Sequence, residues 1–167
     1  VQESMTATLN AETGSINQEL EAVKATATTL SSTVASSYKT LVLSDYEKML
    51  TNVITQKDIV SGSGIWFAPY AYDSNEKYVG PYVYKDGSST VVTYDYSNAE
   101  YDYVSQEYYT IAESSTEPVI TDPYYDPTSD TIMSTCTAPI IADGKFIGCV
   151  SVDIILSKIN CCSSSKA

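Results

Sequence analysis

The chain has 167 residues, 43% of them hydrophobic, and a net charge of −12 from 21 acids against nine bases. That is the length of one domain with a helical extension, apolar enough for a packed core. All nine bases are lysine, and histidine and arginine are absent. The composition therefore excludes Ser-His and Cys-His nucleophile pairs, His-ligated metal and bidentate guanidinium recognition. A chain this acidic repels nucleic acid.

Residues 1–60 read as a helical segment, 61–160 as a strand-rich core and 161–167 as a frayed tail. In the first 41 residues Leu9, Ile16, Leu20, Val23, Ala27, Leu30, Val34 and Leu41 recur in alternating steps of three and four once Thr13 and Ser37 are counted as polar members of the stripe. Such a stripe predicts a long helix, either packed on its own domain or forming the seam of a dimer. Ser44 and Glu47 have the spacing of a capping box and predict a second helix from Ser44, which the run Ser61-Gly62-Ser63-Gly64 would end.

From Ile65 the period changes to two. Residues 65–72, 78–84 and 90–96 are rich in Tyr and Val and predict strands, whereas 105–114 predict a short helix. The proline-containing stretch 117–127 reads as loop or edge. Residues 132–141 and 146–156 flank Asp143-Gly144, the preferred centre of a type I′ hairpin. A two-residue turn pairs Ala138 with Cys149, Cys136 with Ser151 and Ser134 with Asp153. One hairpin face is then small and polar, leaving room for a cavity, and the other is bulky. Cys136 and Cys149 should be buried free thiols, diagonal on one face, with Cys161 and Cys162 exposed. These elements predict an α+β fold: an antiparallel sheet of about five strands, the long helix on one face, the short helix and loops over the other.

Several fragments, taken in order, resemble the Cache (PAS-like, PDC) sensor domains of membrane receptors. They are Gly64-Ile-Trp-Phe-Ala-Pro-Tyr, Gly80-Pro-Tyr-Val-Tyr-Lys-Asp-Gly, Tyr101-Asp-Tyr-Val-Ser-Gln-Glu-Tyr-Tyr-Thr-Ile-Ala, Thr121-Asp-Pro-Tyr-Tyr-Asp and the closing Ala138-to-Ile154 segment. The resemblance implies an extracytoplasmic, non-catalytic domain of a chemotaxis transducer or sensor histidine kinase. It implies a small-molecule pocket between the PAS-like sheet and the short helix, with the signal leaving through the terminal helices. It implies a membrane-anchored parent, a homodimer through the N-terminal helix, and no cofactor.

Amino-acid-binding members hold the ligand carboxylate with an arginine that this chain lacks, so amino-acid specificity is not carried over. The aspartate that receives the ligand amine has a counterpart in Asp153. Tyr94, Tyr108, Tyr109, Tyr124, Ser134, Cys136, Ser151 and Asp153 are the candidate ligand-binding residues, and an amine-bearing ligand is the expectation. Each has a plain structural alternative: half-buried strand tyrosines with wet hydroxyls, or an aspartate that caps backbone amides.

Asp122, Asp126 and Asp130 stand four apart in a loop but lack the pattern of a calcium loop, and no metal site is predicted. No catalytic motif is present. The alternative function is an acidic, tyrosine-rich surface module for glycans or protein partners.

Overall fold

Apolar residues at helical spacing lay one stripe of the first helix, α1 (Gln2–Ser37), along the sheet. The computed structural model describes residues 2–161, with side chains described for residues 3–7 and 14–159. Val23, Ala27, Leu30 and Val34 are buried in a core shared with Cys136, Ala138, Val150, Val152 and Ile154. Burying each of the larger ones stabilises the fold by roughly 1.5–3 kcal/mol. The seam from Val23 to Val34 is thus spent on the chain's own sheet and is closed to a partner helix. Ile16 and Leu20 are only partly buried.

The second helix, α2 (Leu43–Thr55), begins one residue earlier than the sequence suggests. The Asp45 carboxylate accepts the Val42 N–H at 3.4 Å, which makes Asp45 the residue that closes the first turn. Ser44 and Glu47 do not form the predicted box; Glu47 instead accepts the Tyr94 hydroxyl at 2.5 Å. Tyr46, Leu50 and Ile54 pack the helix across the sheet.

The sheet has seven strands: β1 (Val60–Phe67), β2 (Tyr82–Asp86), β3 (Ser89–Thr93), β4 (Val119–Ile120), β5 (Tyr124–Asp126), β6 (Thr131–Ala142) and β7 (Lys145–Ile155). Their order is β3-β2-β1-β7-β6-β4, with β5 also on β6, and every pairing is antiparallel. The five predicted strands are all present, but β1 lies five residues ahead of the expected 65–72 and β2 begins four residues after the expected start at Tyr78. The two additions, β4 and β5, are the short edge pieces of the proline-containing stretch. A 3-10 turn (Tyr103–Ser105) and α3 (Glu107–Glu113) cover the face opposite α1, and α4 (Leu156–Cys161) follows β7. Cys162 and the rest of the predicted tail lie outside the described residues, as does the Cys161 side chain. No described helix is long and apolar enough to cross a membrane.

Two sequence expectations are corrected here. Ser61-Gly62-Ser63-Gly64 does not end α2, which stops at Thr55, but lies inside β1. The reason is close approach: a Cβ on Gly62 would stand 2.7 Å from Tyr82 Cζ, and one on Gly64 would stand 2.7 Å from the Trp66 ring.

The second correction is register. The Asp143-Gly144 turn has positive φ at both residues, 52° and 75°, as type I′ requires. Ile141 then pairs with Phe146, but Ile140 pairs with Gly148, leaving Ile147 as a bulge. Gly148 takes φ 145°, a backbone state that L side chains rarely adopt. Past the bulge every pair slips by one: Ala138 faces Val150, Cys136 faces Val152 and Ser134 faces Ile154. Because side chains alternate, the slip sends Ser134 and Cys136 to the α1 face and brings Thr135 and Thr137 beside Asp153 and Ser151.

Candidate functional site

The face away from α1 carries Trp66 on β1, Tyr82 and Tyr84 on β2, Thr135 on β6, and Ser151 and Asp153 on β7. Over it stand Tyr96, Tyr101, Tyr108 and Tyr124, and together they line a cavity of about 820 Å³. Local chemistry places these walls. The Tyr103 hydroxyl donates to the Phe67 carbonyl at 2.6 Å and accepts the Val79 N–H at 3.0 Å, tying the segment before α3 to the strand ends. Thr137 donates to the Tyr108 carbonyl at 2.8 Å, which fixes α3 over the sheet.

Trp66 is the centre of the aromatic wall. Its indole N–H donates to the Ser151 hydroxyl at 2.8 Å. Its ring lies 5.9 Å from Tyr82, 5.4 Å from Tyr108 and 6.2 Å, edge-on, from Tyr96. The Tyr101 and Tyr108 hydroxyls meet at 3.2 Å. Burial raises the phenol pKa values of Tyr82, Tyr96, Tyr101, Tyr108 and Tyr124, so these rings stay neutral and offer apolar faces with polar tips.

Asp153 is the charged group at the floor. Its Oδ2 accepts the Tyr82 hydroxyl at 2.5 Å and its Oδ1 accepts the Thr135 hydroxyl at 2.9 Å. Burial pushes its carboxyl above the usual carboxylate range, the two hydroxyl bonds pull it down, and the Asp126 charge adds to the rise. Among the described residues none forms an ion pair with it. Lys85, the cavity's lysine, donates its Nζ to the Lys57 carbonyl at 2.8 Å instead.

Of the eight residues singled out from sequence, Tyr108, Tyr124, Ser151 and Asp153 line this cavity. The other four do not. Tyr94 turns to Glu47 of α2. Tyr109 is buried beneath α3, between Tyr103 and Phe146. Ser134 donates to the Thr121 carbonyl, and Cys136 joins the α1 core, where burial pushes its thiol up to about 12. The reading missed Trp66, Tyr82, Tyr96, Tyr101 and Thr135. Alternation along 62–66 and 82–84 pairs Trp66 and Tyr82 with glycines and marks them as one face, so that signal was available. The loop tyrosines carried none.

The described residues contain no cluster of three or more His, Cys, Asp or Glu side chains able to hold a metal. The arrangement suits reversible capture of a small cation: a carboxylate held by neutral donors, beneath aromatic faces.

Residues 46–161 match the family model described as methyl-accepting chemotaxis protein-like, first PDC sensor domain. No curated protein matches the chain. Among solved structures, the extracellular domain of the histidine kinase mmHK1S-Z2 superposes with a TM-score of 0.77 at 22% identity, covering 98% of this chain and 64% of that one. The corresponding domain of mmHK1S-Z3 gives 0.68 at 25% identity, covering 85% and 54%. The ligand-binding domain of the Campylobacter jejuni chemoreceptor Tlp3, in complex with 4-methylisoleucine, gives 0.69 at 14% identity, covering 94% and 59%. The chain thus spans between 54% and 64% of the length of these three. The family is a sensor module of receptors rather than a catalytic one. With a family match over residues 46–161 and the same fold in receptor sensor domains, the chain belongs to the methyl-accepting chemotaxis protein-like first PDC sensor domains.

Proposed function

We propose that this chain is the extracytoplasmic ligand-recognition domain of a membrane-anchored receptor, and that it binds a small amine-bearing cation in the cavity over Asp153. The observation that carries the reading is Asp153 itself, a carboxylate among aromatic rings that is held by two hydroxyls and, among the described residues, by no cation. A ligand ammonium supplies the missing charge, and the faces of Trp66, Tyr101 and Tyr108 add cation–π attraction of about 0.5–2 kcal/mol each where they meet it. The ligand in the Tlp3 complex, 4-methylisoleucine, is an amino acid. Here no arginine exists and Lys85 is committed elsewhere, so the cavity offers an amine an acidic partner but a carboxylate no cationic one.

The tyrosines that gather inside the cavity favour a small molecule over a glycan or protein surface. Ligand capture shifts the sheet against α1, and the terminal helices pass the change to the rest of the receptor. The homodimer contact along α1 falls ahead of Val23, at Ile16 and Leu20, which the chain's own core buries only in part.

Thermal melting against separate panels of small amines, amino acids and oligosaccharides tests this. A native-state ligand raises the melting point in proportion to RT ln(1 + [L]/Kd). Amines should raise it and the other panels should not, and Asp153→Asn should abolish the shift. A shift by oligosaccharides alone, or one that survives Asp153→Asn, overturns the reading.

A further inference from the structure

The cavity is larger and more acidic than one ammonium group requires. Its volume is about 820 Å³, and against the committed Lys85 stand four carboxylates: Asp153, Asp126, Asp86 and Asp95. Asp86 and Asp95 are exposed, whereas Asp126 is half-buried. Register puts Asp126 on the ligand face: it pairs with Thr131, Tyr124 pairs with Met133, and Thr135 pairs with Asp153. Alternation along β6 gives Thr131, Met133 and Thr135 one face.

The Asp126 carboxylate is also fixed in place. Oδ1 accepts the Thr128 N–H at 3.2 Å, and Oδ2 accepts the Ser129 N–H at 3.2 Å and the Ser129 hydroxyl at 2.5 Å. These neutral donors hold Asp126 ionised and lower its pKa, the Ser129 hydroxyl most. Between the two acids the Tyr124 hydroxyl meets Thr135, which donates to Asp153. Two carboxyl groups therefore face one aromatic-walled space, and among the described residues no lysine pairs with either. A monocation answers one and leaves the other.

We propose that Asp126 is a second anchor and that the ligand is a linear diamine, one protonated nitrogen at Asp153 and the other at Asp126, its methylene chain lying over Tyr124 and Met133. The inference rests on the amine reading above and adds the second charge. The two acids are separated by two strand spacings, about 10 Å across the sheet, and by the four residue steps from Thr131 to Thr135 along β6, about 13 Å, so a long chain of methylenes is required. The exposed Asp86 and Asp95 raise the local concentration of such a dication.

Calorimetric titration of the 167-residue chain with butylamine, 1,4-diaminobutane and its longer homologues tests this. The best diamine should bind at least about tenfold more tightly than butylamine, one added charge pair being enough for that factor. Asp126→Asn, which keeps an acceptor for the Ser129 and Thr128 amides, should erase the diamine advantage and leave butylamine within about twofold. Asp153→Asn should weaken both. Equal binding of mono- and diamine, or an Asp126→Asn variant that binds the diamine as tightly as before, overturns the second anchor while the amine reading stands. If no amine of either kind binds, both fall together.

Discussion

The Tyr82 hydroxyl reaches the Asp153 carboxylate across an intervening strand: Tyr82 is on β2, Asp153 on β7, and β1 runs between them. The path is open because Gly62, which pairs with Asp153, has no side chain. A methyl group there would press on the phenol and drive it off the carboxylate. Gly62→Ala should lower stability by about 1–3 kcal/mol and weaken amine binding, read from melting curves and titration. Gly14→Ala, at a helical site with nothing within 4 Å, is the contrasting variant and should stabilise by about 0.5–1 kcal/mol.

The raised pKa of Asp153 fixes the sign of a pH effect. Its folded pKa lies above its unfolded value, so between the two the native state binds more protons than the unfolded chain. Stability from this group therefore falls as pH rises through that window, and the penalty is fully present above the folded pKa. Cation binding runs the other way, because it needs the ionised carboxylate. Amine affinity should weaken as pH drops through the raised Asp153 pKa, and the profile of Asp153→Asn should be flat there. Tyr82→Phe removes one of the bonds that hold the pKa down, so the inflection should move to higher pH.

Cys136 and Cys149 are free thiols on opposite faces of the sheet, one in the α1 core and one beneath the aromatic cluster. The diagonal, same-face placement expected from an unbroken hairpin does not occur. Oxidation followed by mass mapping should therefore yield no Cys136–Cys149 bridge, since their Cβ vectors point apart. Gly148→Ala puts a side chain against the Trp66 backbone and strains a positive φ, and should cost about 2 kcal/mol or more in a denaturant melt.

In α1 the buried stripe separates two models of association. A cysteine at Leu30 should not cross-link between receptor copies, because that position faces β6 and β7 of its own chain. A cysteine at Ile16, where the stripe is only partly buried, should. Efficient cross-linking at Leu30 in the folded receptor would contradict the packing described here.

Periodicity made α1, the five long strands and the hairpin turn readable, because each depends on residues near in sequence. The site was readable only as far as register was. Asp153 and Ser151 belong to the strand whose facing was read correctly, while one extra residue at Ile147 reversed the facing of β6 and exchanged Cys136 and Ser134 for Thr135. Gly148 inside an otherwise strand-like run was the available sign of that bulge. Tyr96 and Tyr101 reach the cavity from a loop, where no repeat dictates direction. The short strand β5 formed on the β6 edge although proline flanks it on both sides, since its three residues place the prolines outside the ladder.

The central claim is that the Asp153 carboxylate receives a ligand nitrogen. Crystals of the chain grown with 1,4-diaminobutane test it most directly. The account predicts a nitrogen within hydrogen-bonding distance, about 3 Å, of an Asp153 carboxylate oxygen, with Trp66, Tyr101 and Tyr108 around it. A cavity that stays empty at saturating diamine, or a diamine seated without contact to Asp153, would contradict it.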